Sequence, residues 1–287
     1  MKVPPGLQPL IDEGVVDRVV RSLKSGKEAS VYLVESGGNL RCAKVYKEAN
    51  QRGFQKLAQY QEGRKARRSR DQRAGGRGHH GRKQSEEAGK NAEVDALYRL
   101  VRAGVRVPQP TGYFSGVLLM ELIADEDGLP APRLNEVSLS KELALEYHEF
   151  MMRQIVYMLC SGLIHGDLSE YNVLLDADGP VVIDLPQAVE AASNNSAFAM
   201  LQRDVGNMAS YFGRFAPELL EKEYAREIWK LYQNADLEPE SVLTGHFEFS
   251  DETADVEDVM MHVEEAREEA ERRQRGREEA EAQRNVE

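Results

Sequence analysis

The strongest constraint on the fold of this chain is the polar segment 162–172, Gly-Leu-Ile-His-Gly-Asp-Leu-Ser-Glu-Tyr-Asn. It contains Asp167 and Asn172, and Asp184 follows twelve residues after Asn172, at the end of a V-V-I-D run. The intervening residues predict a hairpin, because two apolar runs flank an Ala-Asp-Gly turn at 177–179. Such a hairpin returns the chain to its starting point. The sequence therefore predicts that Asp167, Asn172 and Asp184 lie close together.

Two carboxylates and one amide in this order suit phosphoryl transfer from a metal–ATP complex. Asp167 can orient or deprotonate an attacking hydroxyl group, whereas Asn172 and Asp184 offer oxygen ligands to Mg²⁺. His165 precedes Asp167 by two residues, and we expect it to fix the loop through hydrogen bonds rather than to transfer protons. The segment indicates an ATP-dependent phosphotransferase.

The residues from Val19 to Lys47 predict a three-stranded antiparallel meander, because short β-branched runs are separated by turn signals. A Gly-Gly-Asn turn at 37–39 makes the second connection. A polar loop around Gly26 makes the first and is a candidate phosphate cradle. Lys44 lies in the third strand, where its ammonium group can reach nucleotide phosphates, and Glu93 on the next helix is its expected counter-ion.

The rest of the pattern completes a mixed fold. An amphipathic helix is predicted over Asn91–Val101 and is followed by the strands G-Y-F-S and V-L-L-M-E-L-I. A long helix is predicted over Lys141–Ser161 and ends before Gly162. Its N-cap is either Ser138 or Ser140. Further helices are expected near residues 197–213 and 217–233. The fold class is therefore α+β, a two-lobed protein-kinase-like fold with an antiparallel sheet and one helix in the N-lobe and a mostly helical C-lobe.

We divide the chain into four parts: an N-terminal extension (1–14), the N-lobe (15–123), the C-lobe (124–249) and a charged helical or disordered tail (250–287). The N-lobe is interrupted at 64–90 by a segment rich in Arg, Lys and Gly, which predicts a flexible insertion. The insertion contains no aromatic residue, so any contact with RNA would use phosphates and depend on salt. A basic arm that binds ribosomal RNA or a ribosomal particle and a merely solvated loop both remain open.

Composition excludes several classes of protein. The net charge of -12 argues against non-specific nucleic-acid binding by the whole chain. The two cysteines, Cys42 and Cys160, form no disulfide or metal-binding pattern. No stretch approaches the roughly 18 apolar residues of a membrane span, and the N-terminus does not resemble a signal peptide. We expect a cytoplasmic protein that does not enter the membrane.

Three segments resemble motifs of the RIO family of atypical serine/threonine protein kinases. Ser25–Tyr32, S-G-K-E-A-S-V-Y, resembles the nucleotide loop G-K-E-A-x-V-Y, and His165–Asn172 resembles the catalytic loop H-x-D-L-S-E-Y-N. Ile183–Gln187, I-D-L-P-Q, resembles the metal loop I-D-x-x-Q. The resemblance covers about residues 15–235, and the combination of motifs is specific.

This resemblance implies an ATP-dependent serine/threonine protein kinase that uses Mg²⁺, with Mn²⁺ as an alternative, acts on a protein substrate, and has autophosphorylation or ATPase activity. The nucleotide-binding positions that it implies are Ser25, Lys27, Glu28, Lys44, Glu93, Met120, Glu121 and Ile123. It also implies that Asp167 accepts the hydroxyl proton and that Asn172 and Asp184 bind the metal ion. Asp184 is in addition the residue on which the family can form an aspartyl-phosphate.

Two other functions stay open. The run H-G-D-L-x-x-x-N also resembles the catalytic loop of aminoglycoside phosphotransferases, which act on small molecules, although the nucleotide and metal loops favour the RIO family. An ATP-gated ribosome-assembly factor that binds ribosomal RNA through 64–90 is the second alternative.

The sequence also departs from known patterns at two points. Pro186 stands where well-known RIO proteins have Ser, and no A-P-E segment follows Asp184. The usual platform for a peptide substrate is therefore missing from the sequence.

Overall fold

The structure is a computed structural model that describes residues 3–47 and 92–247. The chain divides into two compact units, residues 1–245 and 246–287, and the fold reported below is that of the first unit. The predicted insertion at 64–90 and the predicted tail at 250–287 lie outside the described residues.

The N-terminal part is built on a five-stranded antiparallel sheet. Its strand order is β1-β2-β3-β5-β4, and every neighbouring pair is antiparallel. The strands are β1 (Arg18–Ser25), β2 (Ala29–Ser36), β3 (Asn39–Tyr46), β4 (Pro110–Phe114) and β5 (Val117–Glu121). The predicted meander and the two later strands are confirmed.

Each face of this sheet is covered by different elements. A 3₁₀ turn (Pro5–Leu7) and helix α1 (Gln8–Asp12) bury Leu7 and Leu10 against Val34 and Ala43 of the sheet. Helix α2, which covers residues 92–102 in the described part of the chain, supplies Val94, Leu97 and Leu100 to the main core. Their three-residue spacing places these side chains on one helix face, as the sequence predicts.

The C-terminal part is mostly helical, as predicted. Its helices are α3 (Lys141–Cys160), α4 (Ala197–Phe212) and α5 (Tyr224–Gln233), and a 3₁₀ turn covers Leu134–Glu136. Two short strand pairs complete it, β6 (Leu163–Ile164) with β9 (Val189–Glu190), and the predicted hairpin of β7 (Val173–Asp176) and β8 (Gly179–Val182). The hairpin joins the residues that the sequence predicts to be catalytic.

The ends of α3 follow the predicted capping chemistry. Of the two candidate N-caps it is Ser140 that caps the helix, since its Oγ accepts a hydrogen bond from the Leu143 N–H at 3.2 Å. Gly162, just after the helix, has a φ of 80°, a left-handed conformation that glycine adopts without strain.

The predicted helix over 217–233 is wrong in its first part. Pro217–Glu221 form a 3₁₀ turn, Lys222 is extended, and α5 starts only at Tyr224. The Glu223 N–H donates to the Gly245 carbonyl at 3.0 Å, so the backbone here bonds to a distant segment instead of continuing a helix.

Within residues 3–47 and 92–247, no helix is both long enough and apolar enough to span a bilayer.

Candidate active site

The centre of the candidate site is Lys44, which β3 presents from the sheet. Its ammonium Nζ lies 2.6 Å from Glu93 Oε1 on α2 and 2.8 Å from Asp184 Oδ1, which follows β8. Lys44 is 8% exposed and Glu93 is 5% exposed. The predicted pairing of Lys44 with Glu93 is confirmed, and Asp184 shares the same ammonium group.

The protonation states at this centre follow from its charges. Burial opposes the charge of Lys44, but Glu93 and Asp184 together raise the pKa of its ammonium group above the ordinary value. Burial likewise opposes the charge of Asp184, but Lys44 holds the pKa of that carboxyl below its ordinary value. Lys44 is therefore an ammonium ion and Asp184 a carboxylate at neutral pH.

Tyr46 completes this network and was not predicted from the sequence. Its hydroxyl donates to Glu93 Oε2 at 2.8 Å, so both oxygens of the Glu93 carboxylate have a donor. Burial, followed by the nearby Glu93 charge, raises the pKa of the Tyr46 phenol, which therefore remains a donor. The signal available in the sequence is alternation along β3, since residues 44 and 46 lie on the same face of a strand.

The loop that contains His165, Asp167 and Asn172 lies next to this centre, and most of its residues are buried. Asn172 Nδ2 donates to the Asp167 carbonyl at 2.9 Å and lies 3.5 Å from Asp167 Oδ2. His165 Nδ1 accepts from the Asp167 N–H at 3.3 Å, so its Nε2 carries the proton and donates to the Ile183 carbonyl at 3.1 Å. The expected loop-fixing role of His165 is confirmed, because its ring joins the catalytic loop to the residue before Asp184.

A buried carboxylate that was not predicted also holds this loop. Asp204 of α4 is 2% exposed and accepts hydrogen bonds from the Gly166 N–H at 2.8 Å and the Leu168 N–H at 2.9 Å. These two N–H groups flank Asp167 in the chain, so Asp204 fixes the backbone on both sides of it. The sequence signal was a lone Asp on the apolar stripe of a helix, three residues after Leu201 and four before Met208.

The hairpin brings Asp184 back to the loop, and Arg106 holds the hairpin. The Ile183 N–H donates to the Asn172 carbonyl at 2.9 Å. Arg106 Nη2 donates to the two Asp176 carboxylate oxygens at 2.7 and 2.9 Å, and its Nη1 donates to the Gly179 carbonyl at 2.7 Å. Asp184 itself has a φ of 70°, an uncommon conformation for a residue other than glycine.

The predicted nucleotide loop lies between β1 and β2. Ser25 ends β1, and Lys27 and Glu28 are exposed in the turn that follows. Lys47, which was not predicted, donates from Nζ to the Gly26 carbonyl at 2.6 Å and contacts Ser25 Oγ at 3.2 Å. The loop is thus tied to the end of the third strand.

The predicted adenine contacts lie at the end of β5. Met120 is half-buried and pairs with Cys42 of β3, while Glu121 is exposed and Ile123 is buried. The Glu121 N–H already donates to the Gln109 carbonyl at 2.8 Å, and the Ile123 carbonyl accepts from Ala131 at 3.0 Å. The Glu121 N–H and the Ile123 carbonyl are therefore already used by the protein.

The candidate metal ligands are oxygen donors. The Asn172 amide nitrogen is directed at Asp167, and its side-chain oxygen accepts no hydrogen bond from the described residues. Asp184 retains a side-chain exposure of 37%. Within the described ranges, no three His, Cys, Asp or Glu side chains converge as ligands for one metal ion. The available set suits an ion that keeps water or phosphate ligands, such as Mg²⁺.

The fold combines a five-stranded antiparallel sheet and helix α2 with a mostly helical second part. Lys44, Glu93 and Asp184 meet beside the loop that carries Asp167. Together these features define a protein-kinase-like phosphotransferase. The RIO domain model matches residues 30–225. The chain belongs to the RIO family of serine/threonine protein kinases.

Relatives agree with this assignment. The RIO-type serine/threonine-protein kinase Rio1 of Haloferax volcanii is 37% identical over 207 residues, which cover 71% of this chain and 67% of that protein. The Methanocaldococcus jannaschii protein of the same name is 32% identical over 197 residues, covering 67% of this chain and 62% of its own. Human serine/threonine-protein kinase RIO1 is 29% identical over 217 residues, 71% of this chain but 35% of its own length. Much of the human protein is therefore outside the match.

A solved crystal structure of a kinase domain overlaps 76% of this chain and 67% of its own, with a TM-score of 0.48 and 14% identity. This overlap is too loose to add to the assignment. Family membership by itself implies ATP as phosphoryl donor and a protein as acceptor.

Proposed function

We propose that this chain transfers the γ-phosphoryl group of Mg-ATP to a serine or threonine hydroxyl of a protein. The observation that carries the proposal is the double contact of Lys44 Nζ, 2.6 Å from Glu93 and 2.8 Å from Asp184. These contacts bring together a strand lysine, a helix glutamate and a loop aspartate that are far apart in sequence. Phosphoryl transfer by protein kinases uses the same three residue types on the same elements.

Each residue of the chain has a defined part in this proposal. Lys44, held by Glu93, offers its ammonium group to the phosphates and balances their charge. Asp167 orients the acceptor hydroxyl and takes its proton. Asp167 is exposed while both of its neighbours in the chain are buried, which leaves its carboxylate accessible to a protein hydroxyl. Asp204 and His165 keep the Asp167 backbone in position.

The metal ion belongs to the same proposal. Asn172 and Asp184 would hold Mg²⁺ through their side-chain oxygens, and Mn²⁺ would accept the same donors. A bound Mg²⁺ neutralises charge on the phosphate oxygens that it shares with the nucleotide. Asn172 is well suited to this part, because its nitrogen is occupied by Asp167 and its oxygen is the atom left for a cation.

The nucleotide end of the proposal uses two backbone segments. The loop containing Ser25, Lys27 and Glu28 would cover the phosphates, and Lys47 supports that loop through the Gly26 carbonyl. The segment Met120–Ile123 would border the adenine ring. Exposed Lys27 is free to approach phosphate oxygens as a flexible cation.

The test is incubation of the purified chain with γ-labelled ATP and Mg²⁺, with and without a generic protein acceptor. Free phosphate, acid-stable phosphoprotein and acid-labile acyl phosphate are counted separately. Acid-stable phosphoserine or phosphothreonine supports the proposal. Free phosphate alone would identify an ATPase, and acyl phosphate that maps to Asp184 would identify an aspartyl-phosphate. Transfer to a small-molecule amino sugar but to no protein would refute the protein-kinase assignment for this chain.

The wider setting rests on sequence alone. We propose that the basic segment 64–90 contacts ribosomal RNA or a ribosomal particle through phosphates, and that the enzyme works in the cytoplasm. The boundaries of the two lobes, 15–123 and 124–249, belong to the same proposal. Deletion of 64–90 should remove salt-sensitive RNA binding in a filter assay and leave phosphorylation of a generic protein intact. RNA binding that survives the deletion would contradict the basic-arm proposal.

A further inference from the structure

A second lysine lies on the same face of the sheet as Lys44. Lys24 of β1 pairs with Val31 of β2, and Val31 pairs with Lys44 of β3. Directly opposed residues of antiparallel strands point to the same side, so Lys24 and Lys44 share the face toward Asp184. Two strand spacings separate their backbones by about 10 Å. A register shift between Ser22 and Lys24 sets this alignment.

Arg133 approaches the same region from the other side. It precedes the 3₁₀ turn Leu134–Glu136 and bridges to Leu174 of the hairpin that leads to Asp184. Partial burial lowers the pKa of the Lys24 ammonium group. The nearby charge of Arg133 lowers it further, Asp184 opposes this effect, and Lys44 adds a smaller lowering. Burial raises the pKa of the Asp184 carboxyl, Lys44 lowers it by more, and Lys24 adds a smaller lowering. Lys24 and Lys44 thus both lie near Asp184, and Arg133 lies near Lys24.

The charges of Lys24 and Arg133 have no close ion-pair partner in the described residues. Within residues 3–47 and 92–247, neither side chain forms an ion pair, whereas Lys44 has two. Lys24 is repelled by Arg133 and by Lys44, and Asp184 attracts it without forming an ion pair, so the charge of Lys24 gains little for the folded state. Charges that a fold holds together against their repulsion are typical of a site for an anionic ligand.

We propose that Lys24 and Arg133 bind the phosphate chain of ATP, as a second pair of cations beside Lys44. This inference rests on the proposed function, because it takes ATP as the ligand of the Lys44 centre. The nucleotide supplies the negative charge that Lys24 and Arg133 lack, and it relieves their repulsion when it binds. Lys44 is buried with Glu93, whereas Lys24 is exposed on β1, the strand that leads into the nucleotide loop.

The test compares the full chain with Lys24→Gln, Arg133→Gln and a control, Lys141→Gln. Lys141 carries the same charge but pairs with Glu218 on the surface of the C-terminal part. The affinity for Mg-ATP is measured by displacement of a fluorescent nucleotide at several NaCl concentrations, and the nucleotide-free thermal midpoint is measured separately. Loss of one charge-assisted contact should weaken ATP binding by about tenfold. The salt dependence of ATP affinity should also become shallower in both variants.

The nucleotide-free midpoint separates a phosphate-binding role from a structural one. Lys24→Gln and Arg133→Gln should leave this midpoint unchanged or raise it, because each removes the repulsion between these two cations and neither removes an ion pair. The control should keep the affinity and salt dependence of the wild type. Unchanged ATP affinity in both variants, or weaker binding together with a lowered midpoint, overturns the inference. If the wild-type chain binds no ATP at all, the proposed function itself fails, which is a different result from normal binding that is insensitive to Lys24.

Discussion

Replacing Arg106 tests whether the hairpin that returns Asp184 to the catalytic loop is held by one side chain. Arg106→Ala removes the paired contacts with Asp176, at 2.7 and 2.9 Å, and the contact with the Gly179 carbonyl, at 2.7 Å. A hydrogen bond from a charged group contributes about 1.5–3 kcal/mol, but three bonds made by one guanidinium do not add independently. Because Arg106 remains 26% exposed, solvent screening reduces this contribution. We expect the free energy of unfolding to fall by about 2–3 kcal/mol.

The assay is urea unfolding followed by circular dichroism, alongside a Mg²⁺ titration of kinase activity. Arg106→Lys keeps the charge but not the planar fork, so it should lose about half as much stability as Arg106→Ala. Arg99→Ala is the matched control, since Arg99 pairs with Glu190 on the surface, with side-chain exposures of 40% and 48%. Exposed pairs contribute up to about 1 kcal/mol, so the control should lose less than that. Equal losses in Arg99→Ala and Arg106→Ala would refute the assignment of Arg106 as the residue that holds the hairpin.

Four further outcomes are expected. Asp167→Ala should abolish transfer and leave ATP affinity nearly unchanged in a nucleotide titration, because the hydroxyl-orienting carboxylate acts mainly in the transition state. Asn172→Ala and Asp184→Ala should each raise the Mg²⁺ concentration needed for activity, and a double variant showing the full sum of their effects would mean separate sites. Tyr46→Phe should lower kcat while the chain remains folded by circular dichroism, since Glu93 loses one donor. Burial lowers the pKa of His148 from 6.5 to about 4, so the unfolded chain binds a proton first as the pH falls. The wild type should therefore lose about 3 kcal/mol more stability than His148→Leu between pH 7 and 4 in urea titrations.

The parts of the site that follow one another along the chain could be predicted from the sequence. The strand position of Lys44, the helix position of Glu93 and the turn between Asn172 and Asp184 are local patterns, and local patterns determine strands, helices and hairpins. The contact of Lys44 with Glu93 then follows from the order of these elements. The shared contact with Asp184 was not predicted. It depends on how closely the sheet and the hairpin approach, and no local pattern in the sequence determines that distance.

The residues that were missed act across long separations. Asp204 reaches the catalytic loop from a helix 36 residues beyond Leu168, and Arg106 reaches the hairpin from 70 residues before Asp176. The sequence signal for Asp204 was limited to an isolated carboxylate on an apolar helix face. The helix predicted over 217–233 failed for a similar reason, because the Glu223 N–H bonds to Gly245.

The polar groups around Asp184 are of two kinds. Some have all their hydrogen bonds within the protein and hold the loop in place, whereas others lack a protein partner and are available to a ligand. Both oxygens of Asp204 accept backbone hydrogen bonds, and both nitrogens of His165 have partners. These groups are complete without a ligand, and their chemistry fixes the loop. In the described part of the chain, the ion-pairing capacity of Lys24 and the side-chain oxygen of Asn172 are not used by protein partners. A buried or crowded polar group that the protein leaves incomplete costs free energy unless a ligand completes it. Under the proposed function, Mg-ATP would complete both groups, since its phosphates would face Lys24 and its metal ion would face the amide oxygen of Asn172.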